Sequence, residues 1–181
     1  MRHPLTCLLL LAFLFPSVSH ALDKETLKTG KLKVSGPAFE GKGDLPGKYA
    51  CDGANVNPML RIENVPPEAK SLTLVFDDID APRGTYVHWI LWNIDPGTRE
   101  IAENSVPEGA IQGTNDFKKR SYGGPCPPTR AHRYVLKIYA LDIRLQLDSS
   151  STKADLEKAM EGHVMANAEL TTRYKRKNKK S

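Results

Sequence analysis

The chain has 181 residues, long enough for one domain with a sizeable core, and carries 26 lysines and arginines against 21 aspartates and glutamates for a net charge of +5. The excess is local: Arg173, Lys175, Arg176, Lys177, Lys179 and Lys180 crowd the end of the chain with no acid among them. Without that end and the N-terminal leader the body is slightly acidic, so the charge gives no ground for a nucleic-acid binder.

Arg2 and His3 precede an apolar run from Leu5 to Phe15, then Pro16 and the small-residue pattern Ser19-His20-Ala21. This order reads as a secretory signal peptide, residues 1–21, cut after Ala21. The run is too short, and too soon broken by proline, to serve as a membrane anchor. The mature protein is therefore expected in the periplasm or secreted. Residues 22–33 read as a lead-in, 34–172 as the domain and 173–181 as a solvated basic tail capable of at most peripheral membrane contact.

With Cys7 removed in the leader, Cys51 and Cys126 remain, an even count in an oxidising compartment. A disulfide between them is preferred to two free thiols and is worth roughly 4 kcal/mol through the long loop it closes.

The middle of the chain reads as short strands. In "SLTLVF", Leu72, Leu74 and Phe76 alternate, the pattern of a half-buried strand. "VHWILWNI" is apolar on both faces, with His88, Ile90, Trp92 and Ile94 on one side and Val87, Trp89 and Leu91 on the other, and ends at the turn "DPG". It is expected at the centre of a sheet. "HRYVLKIYAL" alternates again, His132, Tyr134, Leu136 and Ile138 against Arg133, Val135 and Lys137. One long helix is expected over "STKADLEKAMEGHVMANAEL", capped by Ser151 or Thr152, with Leu156, Ala159, Met160, His163 and Asn167 on one side. The fold class is mainly β, an antiparallel sandwich with a C-terminal α-helix packed outside.

Chemistry concentrates at strand ends. Asp77, Asp78 and Asp80 lie where one strand finishes, His88 where the next begins, and His132 at the start of a third, after "YGGPCPP". A carboxylate beside a histidine fixes its tautomer. Gly123 and Gly124 expose backbone N–H groups, Pro125, Pro127 and Pro128 build a stiff wall, and Tyr122 and Tyr134 offer hydroxyls on apolar bodies. Donors beside acids suit a small zwitterion, its anionic end on histidine and backbone N–H and its cationic end on Asp78 or Asp80.

"DIDAP" (Asp78 to Pro82), "RAHR" (Arg130 to Arg133), "CDGANVNPML" and "GTNDF…YGGPCPP" occur in order, and with them the chain resembles the phosphatidylethanolamine-binding protein family in its bacterial Raf-kinase-inhibitor-like branch. Ile79 and Arg130 depart from the family's motifs, which carry proline and glycine there. The resemblance spans about Val34 to the C-terminal helix. It implies an antiparallel β-sandwich with an anion-accepting pocket at one end, built from Asp78, Asp80, His88, Pro127, His132 and Tyr134.

The expected function is thus an exported binding protein for a small phosphorylated or zwitterionic ligand, with no cofactor and no metal. A metal set of His88, His132 and two aspartates is disfavoured because no His-x-x-x-His or Cys-x-x-Cys spacing supports it. The alternatives are a protein-interaction module that inhibits an extracytoplasmic enzyme or host signalling partner, and a hydrolase of unknown substrate. The hydrolase is the weaker, since no serine motif accompanies the acids and histidines.

Overall fold

The computed structural model describes residues 30–40 and 43–177; the leader and most of the lead-in lie outside the described residues. Among the described residues eight strands form two antiparallel sheets. β1 (Lys33–Ser35), β2 (Leu60–Glu63) and β5 (Glu100–Ile101) make a small sheet in the order β1-β2-β5. β3 (Ser71–Asp78), β4 (Tyr86–Ile94), β6 (Ile111–Gln112), β7 (His132–Leu141) and β8 (Val164–Tyr174) make the large one, ordered β6-β4-β3-β7-β8.

The inner core lies between the sheets, where Leu72, Leu74, Phe76, Trp89, Leu91, Leu136 and Ile138 meet Leu60, Ile62 and Ile101. Each such side chain contributes about 1.5–3 kcal/mol by leaving water. A second core on the other face of the large sheet gathers Val75, Val87, Ile90 and Trp92 under Leu156 and Met160 of the helix. Because this second layer exists, all eight residues of β3 are buried. The half-buried expectation for "SLTLVF" is corrected accordingly: alternation records which side chains are most apolar, whereas Val75, Thr73 and Asp77 are covered by the helix and its loops.

The long helix is also corrected. α1 spans only Lys153–Met160, with the Asp155 carboxylate accepting the Thr152 N–H and hydroxyl at 2.8 Å each. Gly162, at φ +78°, turns the chain, and Val164 to Tyr174 continue as β8, antiparallel to β7. His163 and Asn167 are therefore in a turn and a strand. β8 includes Arg173 and Tyr174, so the strand runs two residues into the segment expected as a solvated tail.

β4 does not keep strict alternation. Phe76 is opposite Trp89 but Asp77 is opposite Val87, so residue 88 is an extra residue in the ladder. The bulge puts His88 with Trp89 on the inner face, near Phe76, and leaves Ile90 and Trp92 on the helix side. A second irregularity, with Asn93 at φ +56°, returns Ile94 to the inner core. The expectation that His88, Ile90, Trp92 and Ile94 share a face fails because each bulge reverses the phase.

Candidate functional site

Antiparallel pairing brings the site together. β3 lies between β4 and β7, so its last residue, Asp78, is beside the first residues of both neighbours, opposite Tyr86 and Tyr134. The acid at one strand's end and the histidines at two strands' starts thus meet at one edge of the sandwich. They open on a cavity of about 300 Å³ lined by Asp78, Ala81, Pro82, Tyr86, His88, Phe117, Cys126, Pro127, Pro128 and His132.

Both imidazoles are held in defined tautomers. His132 Nδ1 lies 2.8 Å from Asp78 Oδ2, and both side chains are almost fully buried. A carboxylate only accepts, so Nδ1 carries the proton and Nε2 is left for the cavity. The other Asp78 oxygen accepts the Asp80 N–H at 2.9 Å. His88 Nδ1 donates in the same way to the Gly123 carbonyl, at 2.7 Å. The rings of Phe76, Tyr86, Phe117 and Tyr134 stand around His88 at 5.1–5.8 Å, all edge to face. Burial there holds His88 below the ordinary imidazole range, against the raising effect of its bond to Gly123. That environment favours the neutral ring, and no hydrogen bond to a described residue engages its Nε2.

The remaining predicted residues have other roles. Asp80 does not line the cavity; its carboxylate receives Arg133 Nε at 2.9 Å, Nη2 at 2.7 Å and the Arg133 N–H at 2.9 Å. This two-pronged pair holds Asp80 well below the usual carboxylate range and pins the start of β7 to the β3–β4 turn. With Asp80 so placed, the set of two histidines and two aspartates considered for a metal does not assemble.

Gly123 and Gly124 are not open donors. The Gly123 N–H bonds the His88 carbonyl at 3.1 Å, and the Gly124 N–H bonds Asn55 Oδ1 at 2.7 Å. They are glycines because of crowding: a Cβ on Gly124 would lie 2.3 Å from the Tyr49 carbonyl oxygen, and one on Gly123 2.6 Å from the Phe117 ring. Tyr122 gives its hydroxyl to the Tyr49 carbonyl at 2.9 Å and lies outside the cavity. Tyr134 is fully buried against His88 behind the cavity wall, its hydroxyl without a hydrogen-bond partner. Burial first, then the Asp78 charge, pushes that phenol far up.

Cys51 and Cys126 are bridged, with Cα atoms 5.4 Å apart. Cys126 forms part of the cavity wall, and the bridge anchors the loop that carries Gly123 and Pro127. Asp77, on the opposite face of β3, accepts Lys153 Nζ at 2.5 Å and ties α1 to the sheet. Sequence reasoning placed Pro127 and Pro128 in the wall but missed Ala81, Pro82, Tyr86 and Phe117 as cavity residues. Phe117 had a signal, its place in "GTNDF", but nothing local relates that loop to His88.

Comparison with known proteins agrees with the fold. A family model described as phosphatidylethanolamine-binding protein matches residues 35–175. The chain is 44% identical over 144 residues to a UPF0098 protein of Methanothermobacter thermautotrophicus, covering 77% of this chain and 95% of the relative. It is 48% identical over 142 residues to a UPF0098 protein of Pyrococcus abyssi, covering 74% and 79% respectively. Among solved structures it resembles a phosphatidylethanolamine-binding protein homologue of Chlamydia trachomatis, with TM-score 0.78, 38% identity and coverage of 81% of this chain and 99% of that one. It also resembles YbcL of E. coli, described as a member of the mammalian family, with TM-score 0.76, 29% identity and coverage of 82% and 100%.

Proposed function

Since this chain belongs to the phosphatidylethanolamine-binding protein family, we propose that it is an exported binding protein whose cavity takes a small phosphorylated or zwitterionic headgroup. The observation that carries this reading is the pair of imidazoles, His88 and His132, in one cavity with their Nδ1 atoms fixed and their Nε2 atoms left for a ligand. An anion meets Nε2 as a donor only when that atom is protonated. Phosphate binding is therefore coupled to proton uptake, or to a ligand that brings its own acidic proton. The apolar walls, Pro82, Phe117, Pro127 and Pro128, exclude water and strengthen such bonds. The Cys51–Cys126 bridge supports an oxidising compartment outside the cytoplasm.

The test is calorimetric titration of phosphoethanolamine and of inorganic phosphate into wild type, His88→Ala and His132→Ala. Binding by wild type that is lost in both folded variants supports the proposal. No binding of either probe by wild type overturns it. A second reading, hydrolysis, draws on the buried Asp78–His132 pair, which has the form of a general base with its orienting carboxylate. Turnover of a phosphate or carboxylate ester that His132→Ala abolishes would select that reading; a Raf-inhibitor-like interaction would instead survive His88→Ala in a pull-down.

A further inference from the structure

Three loops frame the mouth of the cavity, residues 79–86, 116–121 and 127–133. They hold six cations, Arg83, Lys118, Lys119, Arg120, Arg130 and Arg133, against two carboxylates, Asp80 and Asp116. Both acids are engaged, Asp80 by Arg133 and Asp116 by the Val87 N–H at 2.7 Å. Arg83, Lys118, Lys119, Arg120 and Arg130 are all exposed and none is in an ion pair with a described residue. Each is close in sequence to a cavity residue: Arg83 follows Pro82, Lys118 follows Phe117, and Arg130 stands between Pro128 and His132. Lys119 lines a smaller hollow that shares Phe117 and Cys126 with the main one.

Inside this collar the rim is apolar. Among the described residues Ile79 is one of the few large hydrophobic ones left exposed, at 38%, and Pro82 and Pro128 are exposed beside the cavity they line. Apolar tips and unpaired cations carried on the same short loops suit an anionic lipid surface, the apolar tips entering the headgroup layer and the cations meeting phosphates beside them. The body is otherwise slightly acidic, so the collar also orients the approach.

We propose that this rim docks on an anionic bilayer, with the cavity mouth facing the lipid headgroups. The inference goes beyond headgroup binding, because docking is carried by the collar and not by His88 or His132. Anionic lipid attracts each nearby lysine or arginine enough to change partitioning about five-fold, so removing three charges lowers it on the order of 100-fold.

The experiment is co-sedimentation of the full protein with vesicles of phosphatidylcholine, alone or mixed with phosphatidylglycerol. Wild type is compared with a collar variant (Lys118→Gln, Lys119→Gln, Arg130→Gln), a tail variant (Lys175→Gln, Arg176→Gln, Lys177→Gln) and the cavity variant His88→Ala with His132→Ala. Binding only to the mixed vesicles, weakened by salt, lost in the collar variant and kept in the cavity variant supports the proposal. Three results overturn it: equal binding to both vesicles, loss confined to the tail variant, or loss in the cavity variant with the collar variant unchanged. Failure of the cavity to bind phosphoethanolamine leaves the collar result readable by itself.

Discussion

Asp78→Asn tests the tautomer argument at its centre. Asp78 accepts two hydrogen bonds, from the Asp80 N–H at 2.9 Å and from His132 Nδ1 at 2.8 Å, where almost no solvent reaches. A carboxamide has one oxygen to accept with, so keeping the turn bond directs its NH₂ at His132. The imidazole must then move its proton from Nδ1 to Nε2. Both bonds survive but lose charge assistance, the difference between about 1.5–3 kcal/mol for a bond to a charged group and about 0.5–1.5 for a neutral one. The expected loss is about 1–2 kcal/mol, or roughly 3–6 °C in Tm for a domain of this size. The function changes in the opposite sense, because the atom offered to the cavity becomes an N–H donor. Phosphate binding should persist and depend less on pH than in wild type. Long-range proton–nitrogen NMR reads the tautomer directly, and calorimetry reads Tm. A His132 that keeps its Nδ1 proton, with Tm unchanged, would refute the reasoning.

Lys153→Met should cost about 3–5 kcal/mol by leaving the Asp77 carboxylate buried without its counter-charge. The loss, read from urea midpoints, should shrink in acid, since burial pushes Asp77 up and protonation relieves it. Gly124→Ala should cost about 1–3 kcal/mol, because its Cβ meets the Tyr49 carbonyl oxygen at 2.3 Å; an unchanged midpoint would show that the loop yields freely. Reducing Cys51–Cys126 opens a loop spanning 75 positions and should lower stability by roughly 4 kcal/mol, measured by unfolding with and without reductant. His88 is held neutral by burial, so its folded value lies below its unfolded one and stability falls as pH drops through about 6.5. His88→Phe should flatten that part of the pH–stability curve.

What the sequence made legible follows from what is local. β7 alternates through its inner residues because nothing interrupts its ladder with β3, and the reading of its two faces holds. That β4 is covered on both faces was visible because both are apolar, but β3 and not β4 is the middle strand, and the register of β4 was not legible: a bulge is set by how β3 pairs with it, not by the residues of β4 alone. The segment after Gly162 misled because alanines at 166 and 168 suit either period, and only Leu170, Thr172 and Tyr174 reveal the alternation of a strand. In the site, the residue types named the chemistry but not the bonds. Asp80 reads like Asp78 until Arg133 claims it, and two glycines look like anion donors until Asn55 and the His88 carbonyl take their N–H groups.

The bulge at His88 is what makes the cavity. Without the extra residue, Val87 and Trp89 would share a face and His88 would point at the helix, into the layer of Ile90 and Trp92. With it, His88 turns inward above Phe76, its Nδ1 reaches Gly123, and the loop stapled at Cys126 closes the wall opposite Asp78. The disulfide, the glycine packing and the bulge therefore act on one result, the orientation of the His88 imidazole in the cavity that His132 also lines. Deleting one residue of β4 between Val87 and Trp89 removes His88 and the bulge together. Replacing His88 by Ala keeps the extra residue and loses only the ring. If the bulge is what places the site, His88→Ala costs about 2–4 kcal/mol through the lost ring and its bond to the Gly123 carbonyl but keeps the fold, while the deletion unfolds the large sheet's end and destabilises far more. Equal stability of the two variants would mean that the ladder absorbs the shift and that the placement of His88 arises elsewhere.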